Sequence, residues 1–302
     1  MSRITGKPSV APLNPWTNIS TGNANQMYGG SPASGANPSS GTGILASEAS
    51  TYVGQKFDTS DGRELVFVAN GGVAIAAGTV IQAPAEITTA EKLAITVPTA
   101  YPATAGLYQI YATNGSTVLS VNQFQGGYCV VESGTGLGQT FKIASHQAAA
   151  NGASFVINLE DPIQTTLTAS SVINLLYNPY GGGTASAAGA VSSGVIISTG
   201  TTATCGPIGV SLYPIAASTA PTYNTTTGAL STAGTIQYGL IVCHGPTACK
   251  VDTITAVGAP LAVSTAVTGA VSTGIALPAG ALIGHSLQTL TSAHYGLIYL
   301  DL

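Results

Sequence analysis

Charge is what this chain has least of. Charged residues make up 6% of its 302 residues, where soluble globular proteins carry about a quarter. From Pro162 onward only Lys250, Asp252 and Asp301 are charged. A lone monomer with so neutral a surface is poorly defended against association, so much of this surface is expected to meet other protein. A Ser- and Thr-rich extracellular or structural protein is the plainer alternative. The seven basic residues are scattered singly and the formal net charge is −4. That excludes nucleic-acid binding, because a phosphate backbone demands a basic footprint.

Long apolar runs are also missing. The opening stretch MSRITGKPSVAPLNPW has early basic residues but no apolar run behind them, so it does not read as a secretory signal. Val257 to Gly284 is long and uncharged but broken by Pro260, Pro278 and several glycines. A membrane-crossing helix needs about 20 mostly apolar residues, so short buried strands are expected there and no membrane span. Cysteine is sparse and unpaired in pattern: of Cys129, Cys205, Cys243 and Cys249, only Cys243-His244 with Cys249 lie close together. They lack the partner pair of a zinc site. Cys243 and Cys249 could bridge across a hairpin closed by Gly245-Pro246, but buried free thiols in strands are the preferred reading. No cofactor and no metal is implied.

What is present is turn residues and short apolar alternations. Residues 1–50, rich in Pro, Gly, Asn, Ser and Ala, show neither helical nor strand periodicity and cannot bury enough apolar surface to form a core. They read as an extended N-terminal arm. Trp16, the single tryptophan, with Met27 and Tyr28, stand out in it as candidate partner-binding anchors.

From Phe57 to Pro84 the chain carries its densest charge, Asp58, Asp61, Arg63 and Glu64, then an alternating strand, an Asn70-Gly71-Gly72 turn and a second apolar strand. Arg63 and Glu64 are expected as polar rim contacts to a partner, and the stretch as a scaffold hairpin. Further strands are expected at 93–97, 106–112, 116–121, 127–132, 139–145, 154–160 and 172–177, with Asn114-Gly115 and Asn151-Gly152 as hairpin signals. One helical turn each is conceivable at 88–93 and 146–150.

After the break Tyr180-Gly181-Gly182-Gly183, strands follow at 235–243, 250–254, 282–290 and 294–301. Tyr295, Leu297 and Tyr299 fall on one face of the last strand and Ile298 and Leu300 on the other, so this strand is expected to be buried on both sides or packed against a neighbour. The fold class is therefore all-β: two β-barrel or β-sandwich domains, at 51–180 and 191–302, joined by a 181–190 linker and preceded by the arm.

Chemistry finds little purchase. The run SGTGLGQT, 133–140, lacks the lysine of a nucleotide loop and joins two strands, so a Gly-rich hairpin is expected. Glu160 and Asp161 are adjacent and on a strand would point to opposite faces. Asp58, Asp61 and Glu64 offer oxygens for calcium but lack a known spacing; an Asp61-Gly62 turn with Arg63 paired to a carboxylate is preferred. His146, His244, His285 and His294 have no local triad signature and read as structural. The acceptor tripeptides at Asn18, Asn114 and Asn224 carry little weight without a secretion signal.

Three stretches carry a family resemblance. DGRELVFVANGGVAIAAGTVIQAP, LEDPIQTTLTASSVINLLYNPYGG, and IQYGLIVCHGPTACKV with IGHSLQTLTSAHYGLIYLDL resemble the opening strand pair, mid-chain signature and closing barrel of tailed-phage capsid decoration (cement, or head outer) proteins. The resemblance implies a non-enzymatic virion protein on the capsid outer surface that binds the major capsid protein, self-associates as a homotrimer and stabilises the shell by bridging neighbouring capsid subunits. The alternatives are a virion surface fibre or receptor- or glycan-binding adhesin domain, and an enzyme of the cell-wall hydrolase kind.

Overall fold

The computed structural model describes residues 53–85, 95–181, 194–199, 206–219, 222–224, 226–227, 230–232, 234–273, 282–290 and 294–302. The arm with Trp16, Met27 and Tyr28, the 182–190 part of the linker, Cys205 and the 88–93 turn lie outside them.

Period-two alternation decides the middle of the chain. Strands β4 (Ile95–Thr96), β5 (Gln109–Thr113), β6 (Tyr128–Ser133), β7 (Thr140–His146), β8 (Ser154–Leu159) and β9 (Val172–Leu176) close into a barrel in the order β4-β5-β8-β7-β6-β9. Their alternate residues, among them Ile110, Val131, Ile143, Ile157 and Ile173, fill the interior. Loop residues Leu119, Phe124, Ile163 and Leu167 complete the core. The strand expected at 116–121 reduces to a single bridge, Leu119 to Ala149. His146 ends β7 rather than starting a helical turn, and no helix occurs among the described residues.

The flanks of this barrel belong together. Strands β1 (Lys56–Asp58), β2 (Glu64–Ala69) and β3 (Val80–Gln82) join one sheet with β10 (Ile196–Ile197), β11 (Pro207–Ser211) and β14 (Tyr238–Thr253). A small hairpin of β12 (Thr222–Tyr223) and β13 (Leu230–Thr232) stands apart. β14 continues into a second closed ring with β16 (Val271–Ser272), β15 (Pro260–Val263), β17 (Leu282–Ser286) and β18 (His294–Asp301). The fold is thus all-β with two closed barrels.

This pairing redraws the expected boundaries. Residues 56–82 hydrogen-bond to strands of the C-terminal half, so the first barrel is inserted between β3 and β10 instead of forming a 51–180 unit with its own N-terminal strands.

Three local expectations change for physical reasons. β2 and β3 do not pair with each other. Asn70 is buried, its amide donating to Val73 O at 2.9 Å and Ala216 O at 2.6 Å, and the chain leaves it for another sheet position. β2 is buried on both faces, Leu65 and Phe67 against one cluster and Val66 and Val68 against another. That is why its apolar residues run on without alternation.

The strands expected at 235–243 and 250–254 are one strand of 16 residues. Gly245 holds φ +97° inside it, and a Cβ there would meet Gly62 O at 2.9 Å. The glycine admits a bend where the β1–β2 turn crosses, not a hairpin. Cys243 and Cys249 therefore sit apart along one strand; with Cys129 they are buried free thiols.

His146 is the one buried histidine. Its Nε2 accepts the Phe124 backbone N–H at 2.9 Å and its Nδ1 faces Gln147 O at 3.0 Å, so the ring is neutral with its proton on Nδ1. Burial pushes its pKa down from 6.5 to about 4. The folded value lies below the unfolded one, so the unfolded chain takes up the extra proton. Stability is whole above pH 6.5 and is lost as pH falls toward 4, by up to about 3 kcal/mol. Urea unfolding between pH 7 and pH 4 should show this loss. His146→Gln should be less stable at pH 7 but flatter with pH; an unchanged slope would assign the acid loss elsewhere.

Candidate partner-binding face

The last strand sorts its side chains cleanly. Gly296, Ile298 and Leu300 of β18 point inward, while Tyr295 and Leu297 are 54% and 45% exposed. Tyr299 is half-buried on the same outer face. Both faces of β18 are apolar in sequence, yet only the inner one is covered within the chain, so of the two expectations burial on both sides is not met and packing against a neighbour is the one left. On β17's C-terminal side Leu287 is exposed, its N–H donating to Leu297 O at 3.2 Å, and Leu302, just past β18, is exposed as well. Tyr295, Leu297 and Leu287 make a small apolar patch on this outer face, bounded by Lys250 opposite Tyr295 and by Asp301 at the strand's end.

Beside Tyr295 lies a cleft of about 470 Å³ lined by Arg63, Ala76, Gly78, Thr247 and Ala248. Gly78 sits at φ +71°, and a Cβ there would be 2.8 Å from the Tyr295 ring, so the glycine makes room for the ring against the backbone. Of the two expected rim residues, the structure brings Arg63 to this cleft. Its Nε donates to Asp61 Oδ2 at 2.8 Å, and the Asp61-Gly62 turn is present, with Gly62 N–H donating to Thr59 O at 3.1 Å. The Thr59 hydroxyl first, and then Arg63, hold the Asp61 carboxyl below the usual carboxylate range. Glu64 instead pairs with Lys56 at 3.3 Å, and its carboxylate raises the Lys56 pKa. Glu64 is not among the cleft residues.

One convergence has no local signal in the sequence. His244 of β14 lies opposite Asp301 of β18; its Nδ1 is 3.5 Å from Asp301 Oδ1 and its Nε2 is 3.2 Å from the Tyr299 hydroxyl. The His285 ring stacks on Tyr299 with centroids 5.1 Å apart. Strand register gathers these groups from separate segments, so no spacing rule finds them. An acid, an imidazole and a phenol in line can share a proton, but among the described residues no serine or cysteine nucleophile is hydrogen-bonded to His244, as a triad requires.

Other candidates resolve simply. SGTGLGQT joins β6 to β7, which pair antiparallel. Glu160 is 3.1 Å from Lys142. Among the described residues no group of three or more His, Cys, Asp or Glu is placed to hold a metal ion. Cys129 and Cys249 are fully buried, and burial raises both thiols, Cys129 to about 12; neither is a nucleophile at neutral pH.

Comparisons with protein-family models, curated proteins and solved structures find no match to this chain.

Gly78→Ala tests the cleft. The added methyl forces a left-handed backbone on a side-chain residue and pushes Tyr295 aside, which should cost about 1–2 kcal/mol. It should also shift the Tyr295 ring resonances, with the core strands unaltered. Unmoved Tyr295 signals would show that the ring does not rest there.

Proposed function

We propose that this chain is a non-enzymatic virion structural protein that decorates the outside of a phage capsid and stabilises it by bridging neighbouring capsid subunits, itself assembling as a homotrimer. The observation that carries the reading is the uncovered face of β18. Tyr295 and Leu297, with Leu287 and Leu302 nearby, expose apolar side chains on a chain with almost no charge to keep it apart from other protein. The resemblance of three stretches to capsid decoration proteins gives that assembly role its setting. Trp16, Met27 and Tyr28 are proposed anchors on the shell, and Arg63, held by Asp61, a polar contact at the edge of the face.

Clamping follows from burial. Fully covering one Leu or aromatic side chain is worth about 1.5–3 kcal/mol, and a half-exposed one gains about half of that. A few such residues give each copy weak purchase. Repetition over a lattice makes it strong, because linked contacts bind at high effective concentration. Bound copies favour the intact shell by mass action.

Shells lacking the protein should take it up at defined lattice positions when mixed and imaged, and should resist heat better afterwards. Leu297→Glu with Tyr295→Glu changes outward-facing positions, Tyr295 giving up its packing against Gly78, so the protein should lose about 1–2 kcal/mol and stay folded. Shell occupancy and self-association by light scattering should nevertheless fall at least tenfold. Random or absent uptake by the unaltered protein would sink the capsid reading. Full uptake by the double variant would move the contact to another face.

A further inference from the structure

The inserted barrel carries a second exposed apolar site, distinct from the β18 face and independent of the capsid reading. Tyr101, Leu107, Tyr108 and Tyr111 are all exposed, Tyr101 at 60% and Tyr111 at 44%, and with Thr104 and Gln109 they line a cleft of about 480 Å³. Scattered surface apolar residues need no explanation, whereas three tyrosines and a leucine around one concavity do.

The cleft is built, not incidental. Gln109 and Tyr111 sit on the outer face of β5, with Ile110 and Ala112 inward. The loop after β4 runs beside them and is pinned along its second half. Ala103 and Leu167 exchange backbone hydrogen bonds at 3.1 and 2.8 Å, Gly106 N–H donates to Ile163 O at 2.8 Å, and Ala105 N–H donates to Thr166 Oγ1 at 3.0 Å. Tyr101 stacks on Tyr111 with centroids 5.3 Å apart and 29° between planes. Stacking occupies one face of the Tyr101 ring and holds the other toward solvent. Next to it runs an amide row. Gln109 Nε2 donates to Asn158 Oδ1 at 2.9 Å, and Asn158 Nδ2 donates to Ser145 Oγ at 2.8 Å. The row fixes the Gln109 amide while leaving its carbonyl oxygen and one N–H available to a ligand.

We infer that this cleft binds a neutral sugar ring of a glycan. A pyranose has an apolar C–H face that lies on an aromatic ring and hydroxyls at its edge that exchange hydrogen bonds with a side-chain amide. Fixed tyrosines supply the first and Gln109 the second, at low entropic cost because both are already held. The volume falls in the range of small-ligand sites. No charged residue lines the cleft, so nothing there recognises a carboxylate, sulfate or phosphate. That selects uncharged sugars over acidic ones.

The full chain can be tested against maltohexaose, chitotetraose and mannopentaose as neutral probes, with sialyllactose and oligogalacturonate as acidic ones and a polyproline decapeptide as a rival occupant. At least one neutral probe should bind, with saturation transfer from tyrosine ring protons to sugar C–H protons. Tyr101→Ala and Gln109→Ala should each weaken it at least tenfold, about 1.4 kcal/mol, while Leu137→Ala on the exposed β6–β7 loop should not. If Tyr101→Ala melts early, Gln109→Ala and the transfer experiment on the unaltered protein decide. No binding of any neutral probe, equal or better binding of the acidic ones, preference for the peptide, or affinity indifferent to Gln109→Ala would each overturn the inference. Shell binding reads the other barrel, so failure of one leaves the other standing.

Discussion

Everything in this fold depends on a single shared strand. β14 lies between β2 and β11 over its first half, where Ile241 and Val242 have partners on both sides. Over its second half it pairs with β18 and β16. Sheet edges are usually blunted with lysines and other charges, and this chain has few to give. Closure does that work instead: a six-strand ring in the insertion, and a second ring in which β14 is the shared member. Gly245 is the point where the strand passes from one sheet environment to the next.

From that strand follow the two kinds of surface. Where β14 and β2 cross they are buried on both faces, and the sequence is apolar throughout. Where β14 joins β18, only the inside of the ring is filled, and the outside sets Tyr295 and Leu297 between Lys250 and Asp301. Tyr295 and Leu297 are the exposed apolar residues of that outer side, and they are the ground on which a role in assembly is proposed. The inserted barrel shows a different marking, tyrosines and amides held in place around a cleft, which suits a small neutral ligand better than a broad seam. On the proposed function, two barrels with different surfaces would let one hold a lattice while the other meets the surroundings.

Local order was legible and long-range order was not. The alternation within β5 to β9 marks those strands in the sequence, and His294 to Asp301 reads as a strand with its true ends, because period two needs no knowledge of the partner. Asn70-Gly71-Gly72 and Gly245-Pro246 have the residues of tight turns. Their conformations are set instead by contacts far along the chain, from Ala216 to Asn70 and from Gly62 to Gly245. The return of Lys56–Gln82 to the C-terminal sheet, across the whole inserted barrel, leaves no trace in spacing. The sites follow the same rule. Arg63 stood out by its charge, and it lines the cleft beside Tyr295. The His244–Tyr299–Asp301 convergence is made by register alone. Tyr101, Tyr108 and Tyr111 were visible as letters, but nothing in their spacing says that a pinned loop folds them into one concavity.

The insertion also has a mechanical side. β9 ends at Leu176, and Tyr180 is already tied into the other sheet, its carbonyl accepting the Ala69 N–H at 3.0 Å and its ring against Gly54. On the entry side β3 leaves from Gln82, which lies opposite Ile196 at the start of β10. A pull on the inserted barrel away from its host therefore reaches the Tyr180 clamp on one side and, on the other, the end of β3, where Gln82 is held between β10 and β11. The host ring that contains β18 has no free edge, each of β14, β15, β16, β17 and β18 being paired on both sides, so tension on the insertion reaches the junction before it reaches that ring.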